Sequence, residues 1–338
     1  MSTSKRIEKW DILKFILIFL VVLGHVIDST FDKSIWQKNL ITIIYSFHMP
    51  VFIFVSGLFS KKTIQRKNYD KVFGYLFMFF VAKMIVAIGR LIGTGEMGFV
   101  MFSERGLPWY MLAMFAFQMI TIAVQNFSPK YIFIFSILLS CFAGYDTLLG
   151  DDLCLMRIFV FYPFFYLGYC LKPSSVAKFF NNKVLKIISA VIVIAFIIIV
   201  VANTDSIYRL CFLFTGRHSY EKLDDAFAFG GLIRLAYYAF AFIFGSAVIC
   251  LIPNRLGNGS VAKLGSRTLQ IYSLHYFFVF IYSGLIAEKI NPAHPIIWTI
   301  GVAVLITAIC SLKFWKPVCD VIMSPKIIKS KTENRDLN

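Results

Sequence analysis

The stretch at residues 12–29, "ILKFILIFLVVLGHVIDS", decides the fold class because nearly all of its residues are apolar. As a helix, about 18 residues rise roughly 27 Å, close to the roughly 30 Å thickness of the hydrocarbon core of a bilayer. The stretch therefore predicts a helix that spans the membrane. The charged Asp32 and Lys33 follow it, and no small-residue cleavage site does, so we expect a retained anchor and not a removable signal peptide.

The composition extends this prediction to the whole chain. Of its 338 residues, 59% are hydrophobic and only 15% are charged, and the mean hydropathy is +0.75, whereas soluble domains carry about 25% charged residues. We therefore predict an all-α integral membrane protein, a bundle of about ten transmembrane helices. The predicted spans are residues 12–29, 41–60, 72–93, 108–126, 131–149, 154–171, 184–202, 230–252, 267–286 and 295–315.

The positions of lysine and arginine predict how the bundle is oriented. If the N-terminus is cytoplasmic, most of the 34 basic residues fall in inside segments and most of the 18 acidic residues fall in outside joints. Because cytoplasmic loops carry the excess of basic residues, we predict that both termini are cytoplasmic. Residues 1–320 are expected to form a single multi-pass domain, and residues 321–338 a polar cytoplasmic tail.

The net charge of +16 does not indicate nucleic-acid binding, because the basic residues lie between apolar runs and follow the topology. The seven cysteines are scattered singly, with no CxxC pair and no histidine at metal-ligand spacing, so we expect buried thiols and no metal site. The sequence has no GxSxG elbow and no phosphate-binding loop. Any chemistry is therefore expected to depend on histidine. The oligomeric state is not indicated.

Ionisable residues inside a bilayer are costly and therefore point to function. On a helix, Asp11, Lys14, His25 and Asp28 lie along one stripe, because Lys14 and His25 differ by only about 20° around the axis. Asp11 and Lys14 lie near the cytoplasmic end, where they can pair with each other and Lys14 can meet an anionic ligand. About 21 Å separates Asp11 from His25 along the axis, so these two residues serve different places.

The outer half of the first span holds His25 and Asp28. Asp28 is one turn further on, where it either holds the second ring nitrogen of His25 or lies in water at the helix end. The second span contains His48 and then Pro50, which removes a backbone donor and bends the helix. His48 is expected at a depth similar to that of His25, so two histidines are predicted to converge. His275, in the ninth span, is either a packing residue or a site residue.

Further positive charges are candidate contacts for an anionic cofactor. The segment "KKTIQRKNYDK" at residues 61–71 supplies Lys61, Lys62 and Arg66 at the predicted cytoplasmic face. Lys83 is the deepest charge of the third span, where it either lines an anion path or is a structural charge. Three arginines near predicted outer helix ends are expected to extend their charges towards the membrane surface: Arg90, Arg157 and Arg234.

Several of these motifs resemble the family-3 membrane acyltransferases, in the branch of fucose 4-O-acetylase-like and exopolysaccharide O-acetyltransferases. The resemblance begins with "KRIEKWDILKFILIFLVVLGHVI" and "FHMPVFIFVSGLFSKK", and "LPWYMLAMF", "FYPFFYLGYCLK" and "LGSRTLQIYSLHYFF" extend it over nearly the whole chain. It implies that His25 is the catalytic histidine and His48 the histidine of the FHMP motif. It also implies that Lys14 is the family's basic residue, where many members have arginine; lysine keeps the charge but not the bidentate fork.

The resemblance further implies that the protein takes an acyl group, usually acetyl, from cytoplasmic acyl-CoA and delivers it to a hydroxyl of a polysaccharide or a lipid-linked sugar. We expect His25 to act as the general base, with Asp28 or His48 positioning it or stabilising charge, because neutral imidazole accepts protons near working pH. A transient acyl-histidine is the alternative. The long outside joint at residues 203–230 is either a solvated loop or the surface that meets the acceptor.

A transporter or flippase for an anionic or sugar substrate is the rival interpretation, because embedded charges and broken helices also suit a substrate path. Against it, the sequence shows no paired halves with matching interruptions and little acid deep in the membrane. A non-enzymatic membrane scaffold is a third interpretation, which leaves the embedded histidines unexplained.

Overall fold

A computed structural model of the chain describes residues 7–95, 98–99, 106, 108–150, 152–255, 259–287 and 295–323. The predicted tail beyond Met323 lies outside the described residues. The elements of the described part are helices: α1 (Glu8–Ser29), α2 (Ile35–Gln65), α3 (Tyr69–Thr94), α4 (Trp109–Val124), α5 (Pro129–Ala143), α6 (Leu155–Cys170), α7 (Pro173–Phe179), α8 (Lys183–Ala202), α9 (Thr204–Tyr208), α10 (Cys211–Thr215), α11 (Gly230–Leu251), α12 (Ser260–Gly265), α13 (Thr268–Ile281), α14 (Ile296–Cys310) and α15 (Lys316–Met323). A 3-10 segment, Tyr220–Phe229, leads into α11, and a π-helical turn, Tyr282–Ala287, extends α13.

The described part is thus an all-α protein, and six of its helices are long and apolar enough to cross a membrane: α1, α2, α3, α8, α11 and α13 with their short extensions. A seventh span is counted if α14 and the helix after it are one span bent by 47°. The other three predicted spans coincide with shorter apolar helices, α4, α5 and α6. The chain is therefore a multi-pass membrane protein, and its ten spans and its sidedness stay predictions.

The first helix is the centre of the bundle. Its apolar residues are buried on almost every side, with Ile12, Leu17, Val22 and Ile27 fully inaccessible, because α2, α12, α13 and α14 pack around it. One span at the periphery contrasts with it: only 11% of the apolar window of α8 is buried. An apolar helix exposed over most of its surface is suited to lipid contact. The stretch that predicts the fold class therefore forms its core.

Close helix packing fixes α2 against α6. A Cβ at Gly57 of α2 would lie 2.1 Å from the carbonyl oxygen of Phe165, and one at Gly168 of α6 would lie 2.1 Å from that of Phe54. Small residues at such crossings let two backbones approach directly, which is how membrane helices gain packing energy. This crossing lies one to two turns beyond Pro50 and so holds the kinked part of α2 in place.

Candidate active site

One small polar cavity, of about 110 Å³, lies in the half of the bundle that the topology prediction places outside. It contains the three residues that the sequence singles out for catalysis, His25, His48 and Asp28. The remaining lining residues are Val21, Tyr45, Met49, Gly106, Trp109, Arg157, Phe214, Thr215, Arg217 and Tyr272. We call this space the histidine cavity. The two histidines thus meet at one depth, as their positions in the sequence predict.

A third histidine joins them. The ring of His275 from α13 stacks on that of His25, with 5.5 Å between ring centroids and 28° between ring planes. Tyr276 meets His25 edge-on, with 4.7 Å between centroids. One stacked ring and one edge-on ring therefore fix the orientation of the His25 ring, whose side chain is half-buried. The sequence left open whether His275 is a site residue; the structure places it in contact with His25.

Backbone carbonyls fix the tautomers of the two other histidines. Nδ1 of His48 lies 2.8 Å from the carbonyl oxygen of Ile44, and Nδ1 of His275 lies 3.0 Å from that of Ile271. A carbonyl accepts only, so each Nδ1 donates its proton and each Nε2 keeps a lone pair in the neutral ring. Nε2 of His275 is buried and has no hydrogen-bond partner among the described residues. In both neutral rings, Nε2 can therefore accept a proton.

Asp28 acts on the cavity through a tyrosine. Its carboxylate accepts a hydrogen bond from the hydroxyl of Tyr45, and in the described part of the chain no hydrogen bond joins Asp28 to His25. This differs from the direct contact considered from the sequence. The Tyr45 ring lies 5.1 Å, centroid to centroid, from that of His48. A Cβ on Gly24 would lie only 3.0 Å from Cε1 of Tyr45. The glycine before His25 therefore makes room for the tyrosine that binds Asp28.

Two arginines expected to reach the membrane surface are instead buried. Arg157 is 3% exposed, lines the histidine cavity and lies over the ring of Trp109, 4.9 Å from its centroid. Arg234 is inaccessible and donates from Nη1 to the carbonyl oxygen of Leu213, 3.1 Å away. Aromatic faces and carbonyls replace water around such cations. The prediction of surface-reaching charges is therefore wrong for both, and Arg157 is a site residue that sequence reasoning missed.

The outside joint covers one wall of the cavity. Phe214, Thr215 and Arg217 of this joint line the cavity. Two contacts hold the joint on the ends of α1 and α2. Nζ of Lys38 lies 2.7 Å from Oδ1 of Asp205, which lowers the pKa of this carboxyl. The ring of Tyr208 stacks on that of Phe31, with 5.8 Å between centroids.

A second hollow, of about 190 Å³, opens at the other end of α1, which the topology prediction places in the cytoplasm. Lys14 lines it, with Nζ 2.8 Å from Oδ1 of Asp11 and 5.3 Å from the ring centroid of Phe59. The pairing predicted for Asp11 and Lys14 is thus present. The other lining residues are Val55, Ser56, Ser60, Thr63, Tyr75 and Gln118. We call this space the lysine hollow.

A short series of contacts connects the two spaces. Oγ of Ser56, in the lysine hollow, lies 2.7 Å from the hydroxyl oxygen of Tyr110. The ring of Tyr110 lies 5.2 Å from that of Tyr272, which lines the histidine cavity. Along α1, Lys14 and His25 are separated by about 16 Å. Two tyrosine rings therefore form the partition between the hollow and the cavity.

The remaining cationic candidates are not brought together at either space. Lys61 lies over the ring of Tyr169, 6.0 Å from its centroid. Lys62 and Arg66 are exposed at the end of α2, beside Thr63 of the lysine hollow in the sequence, but they do not line the hollow. Lys83 is 6% exposed and lies over the ring of Phe79, but it lines neither space. Among the residues the structure describes, no group of three His, Cys, Asp or Glu side chains is placed to hold a metal ion.

Comparison with known proteins decides the class of this protein. The sequence model of the family Acyl_transf_3, described as an acyltransferase domain, matches residues 7–315. The chain belongs to this acyltransferase family. The match covers both the histidine cavity and the lysine hollow, and the protein is an acyltransferase. The family resemblance drawn from the sequence motifs is thereby confirmed.

Two curated relatives support the assignment. The acyltransferase is 26% identical over 303 residues to the nodulation protein NolL of Sinorhizobium fredii, an alignment that covers 80% of this chain and 77% of that protein. It is 34% identical over 76 residues to NolL of Mesorhizobium japonicum, which covers 22% of this chain and 20% of that protein. No solved structure matches the chain.

Proposed function

We propose that this acyltransferase moves an acyl group, most simply acetyl, from cytoplasmic acyl-CoA to a hydroxyl of a cell-surface polysaccharide or a lipid-linked sugar in the bacterial inner membrane. The observation that carries this proposal is the line of spaces along α1, a cationic hollow at one end and a histidine cavity at the other. An acyl donor that is anionic at one end and reactive at the other fits this arrangement. Acetyl-CoA has that form.

On the donor side, Lys14 offers its ammonium to the phosphates of coenzyme A, and Lys61, Lys62 and Arg66 raise the positive potential around the hollow. The thioester at the end of the flexible arm of acyl-CoA must then pass Ser56 and Tyr110 to reach the histidines. Asp11 keeps Lys14 oriented, since their salt bridge is i, i+3 on one helix. Lys83, which lines neither space, is proposed to contribute only to the long-range potential.

At the histidine cavity, transfer needs a base and a stabiliser for negative charge. His25 takes the proton from the acceptor hydroxyl, whose oxygen attacks the thioester carbonyl. The carbonyl oxygen becomes an oxyanion, and the buried guanidinium of Arg157, which lines the cavity, stabilises it. When the carbon–sulfur bond breaks, the imidazolium returns its proton to the leaving thiolate. His48, a proton acceptor with a fixed ring, and Asp28, through Tyr45, hold the arrangement around His25.

The acceptor side is the wall formed by the outside joint. Thr215 and Arg217 offer hydroxyl and guanidinium donors where a sugar must enter. A polar mouth over a buried catalytic group suits a hydrophilic acceptor that approaches from water. In this scheme the donor and the acceptor reach His25 from opposite ends of the bundle.

The test is transfer by purified protein in lipid nanodiscs. Acetyl-labelled acetyl-CoA is incubated with candidate glycans, and labelled glycan and free thiol are measured together. His25→Ala and His25→Gln are expected to lower transfer by about 10²- to 10⁴-fold, the usual contribution of a general base, while elution on size exclusion stays that of the wild type. His218→Ala, which removes a histidine of the outside joint that does not line the cavity, is the matched control.

Two outcomes contradict the proposal. Retained glycan acylation in both His25 variants would remove this residue from the mechanism. With the same protein reconstituted in sealed liposomes, movement of the glycan or of acyl-CoA across the membrane without labelled product would favour the transporter interpretation. A panel of acyl-CoA thioesters in the same assay distinguishes acetyl from longer donors.

A further inference from the structure

A separate apolar groove, of about 470 Å³, runs between α2, α6, α7 and α11. Its walls are aliphatic and aromatic, and none of its lining residues is ionisable: Pro50, Val51, Phe54, Phe164, Leu167, Leu171, Ser175, Val176, Phe179, Phe180, Ala241, Phe242, Gly245, Ser246 and Ile249. Along α11 the groove extends from Ala241 to Ile249, about 12 Å. It has the shape and polarity to hold a hydrocarbon chain.

The groove is distinct from the acyl-transfer site. Both reach α2 near its proline, but the histidine cavity takes His48 and Met49, whereas the groove takes Pro50 and Val51. Helix α2 therefore separates the two spaces. No residue lines both of them.

One end of the groove has a polar mouth. Ser175 and Phe179 border both the groove and an adjoining open hollow of about 590 Å³, which Lys178, Asn181 and Asn182 complete. The surrounding segment, residues 172–186, contains four lysines and no acidic residue. In the described part of the chain, the ammonium of Lys178 makes no ion pair. The apolar groove is therefore continuous with a positively charged pocket.

The two asparagines of the mouth are oriented as donors. Oδ1 of Asn182 accepts from the backbone nitrogens of Val184 and Leu185, at 2.8 and 3.3 Å, and caps α8. Oδ1 of Asn181 accepts from Nδ2 of Asn254, 2.9 Å away. With both amide oxygens engaged, the amide nitrogens remain to donate. The mouth thus combines an ammonium with two amide donors, a set that recognises a phosphate.

We propose that this groove binds an anionic phospholipid of the cytoplasmic leaflet, with one acyl chain between α2, α6 and α11 and the phosphate at Lys178, Asn181 and Asn182. The prediction from positive charge places α7 and the segment after it on the cytoplasmic side, where anionic headgroups and basic pockets between helices meet. The proposed ligand is amphiphilic because the site has both characters: a long apolar groove that ends in one ammonium and two amide donors.

The test measures lipid binding to delipidated, purified protein by native mass spectrometry, with phosphatidylglycerol and phosphatidylcholine of identical chains as probes. Phosphatidylglycerol is expected to bind more tightly. Ser246→Phe places a ring in the groove and should abolish the lipid adduct, whereas Ile243→Phe, on the exposed face of the same helix (58% exposed), should not. Lys178→Gln should weaken phosphatidylglycerol binding roughly fivefold, the effect of about one basic residue at a lipid surface, and Lys130→Gln should leave it unchanged.

Equal binding of phosphatidylglycerol by Ser246→Phe and Ile243→Phe would overturn the groove as the site. Equal affinity for the two lipids, together with no effect of Lys178→Gln, would overturn the headgroup assignment. If Ser246→Phe does not fold, Asn181→Asp provides the second variant. Its carboxylate repels the phosphate and should weaken the binding of phosphatidylglycerol more than the binding of phosphatidylcholine. Because the readout is bound lipid and not acyl transfer, failure here leaves the proposed reaction standing, and the reverse also holds.

Discussion

At the residue scale, the position of Tyr45 explains why a glycine, Gly24, precedes His25 in α1. The ring of Tyr45 occupies the space that a side chain on Gly24 would need, and its hydroxyl donates to Asp28. The tyrosine therefore connects the outer end of α1 to α2 beside His48. The sequence leaves open whether Asp28 contacts His25 or lies in water at the helix end; in the structure it lines the cavity and accepts a hydrogen bond from Tyr45.

This connection gives the first prediction. Tyr45→Phe removes only the hydroxyl and is expected to lower acyl transfer about tenfold or more, because a hydrogen bond to a charged group contributes about 1.5–3 kcal/mol. If the pair acts as a unit, the losses of transfer activity caused by Asp28→Asn and by Tyr45→Phe should not add in the double variant. Tyr131→Phe, at a residue 73% exposed, is the control. Additive losses would show that Asp28 and Tyr45 act separately.

The sequence predicted part of this site for a clear physical reason. His25 and His48 are recognisable because an ionisable residue in an apolar run is costly, and their depth follows from helical rise. Contacts between distant helices leave no such signal, so the sequence alone leaves open whether His275 is a packing residue or a site residue. The sequence predicts a surface-reaching charge for Arg157. It does not indicate the burial of this residue, because the burial depends on Trp109, which lies on another helix. Tyr45, one turn before His48, was the one missed residue with a local signal.

At the element scale, the crossing of α2 and α6 is sensitive to side-chain size. A Cβ on Gly57 would lie 2.1 Å from a backbone carbonyl oxygen, which cannot move aside without shifting α6. Gly57→Leu is expected to destabilise the fold by about 1–3 kcal/mol or more, the usual cost of overpacking, and to lower the melting temperature in detergent. Gly301→Leu, where nothing lies within 4 Å of the added atom, should melt like the wild type. Similar melting of both variants would contradict this crossing.

The outside joint gives the next prediction. Gly216 has a positive φ of 62°, and a Cβ there would lie 2.9 Å from the ring of Phe161. Gly216→Ala should therefore shift Thr215 and Arg217 away from the cavity, because non-glycine residues in this conformation cost about 1–2 kcal/mol. We expect a higher KM for the acceptor glycan and an unchanged KM for acetyl-CoA. Equal changes in both KM values would show that the joint does not form the acceptor wall. Gly259→Ala, at a positive φ of 71° in open space, is the control.

Element boundaries show where sequence patterns stop being informative. Each predicted span corresponds to a helix, but the run at residues 41–60 belongs to a helix that extends over Ile35–Gln65, because the polar turns at its ends carry no apolar signal. The fourth, fifth and sixth runs give helices of 16, 15 and 16 residues. Apolar composition marks a segment as buried or lipid-facing, but it does not fix how far the segment stays helical.

At the scale of the whole molecule, the acyltransferase is organised around α1. The lysine hollow and the histidine cavity lie at its two ends, and the partition between them is formed by Tyr110 and Tyr272. In the proposed function, this layout would keep the charged acyl donor on one side of the membrane while its acyl group is used near the other. The direction of this path depends on which end faces the cytoplasm, which only the positive-inside pattern indicates.

The last prediction therefore concerns sidedness. All seven cysteines are free, so a variant with each replaced by serine or alanine provides the background for single-cysteine labelling with a membrane-impermeant maleimide. Lys62→Cys, beside the lysine hollow, should react only in inverted vesicles, because the basic segment after α2 is predicted to be cytoplasmic. Lys222→Cys, in the outside joint, should react only in intact cells or right-side-out vesicles. The opposite pattern would reverse the path, placing the histidine cavity and not the lysine hollow on the side where acyl-CoA is made. Labelling of both positions from one side would mean that an even number of spans separates them. The donor and the acceptor would then have to enter from the same side of the membrane.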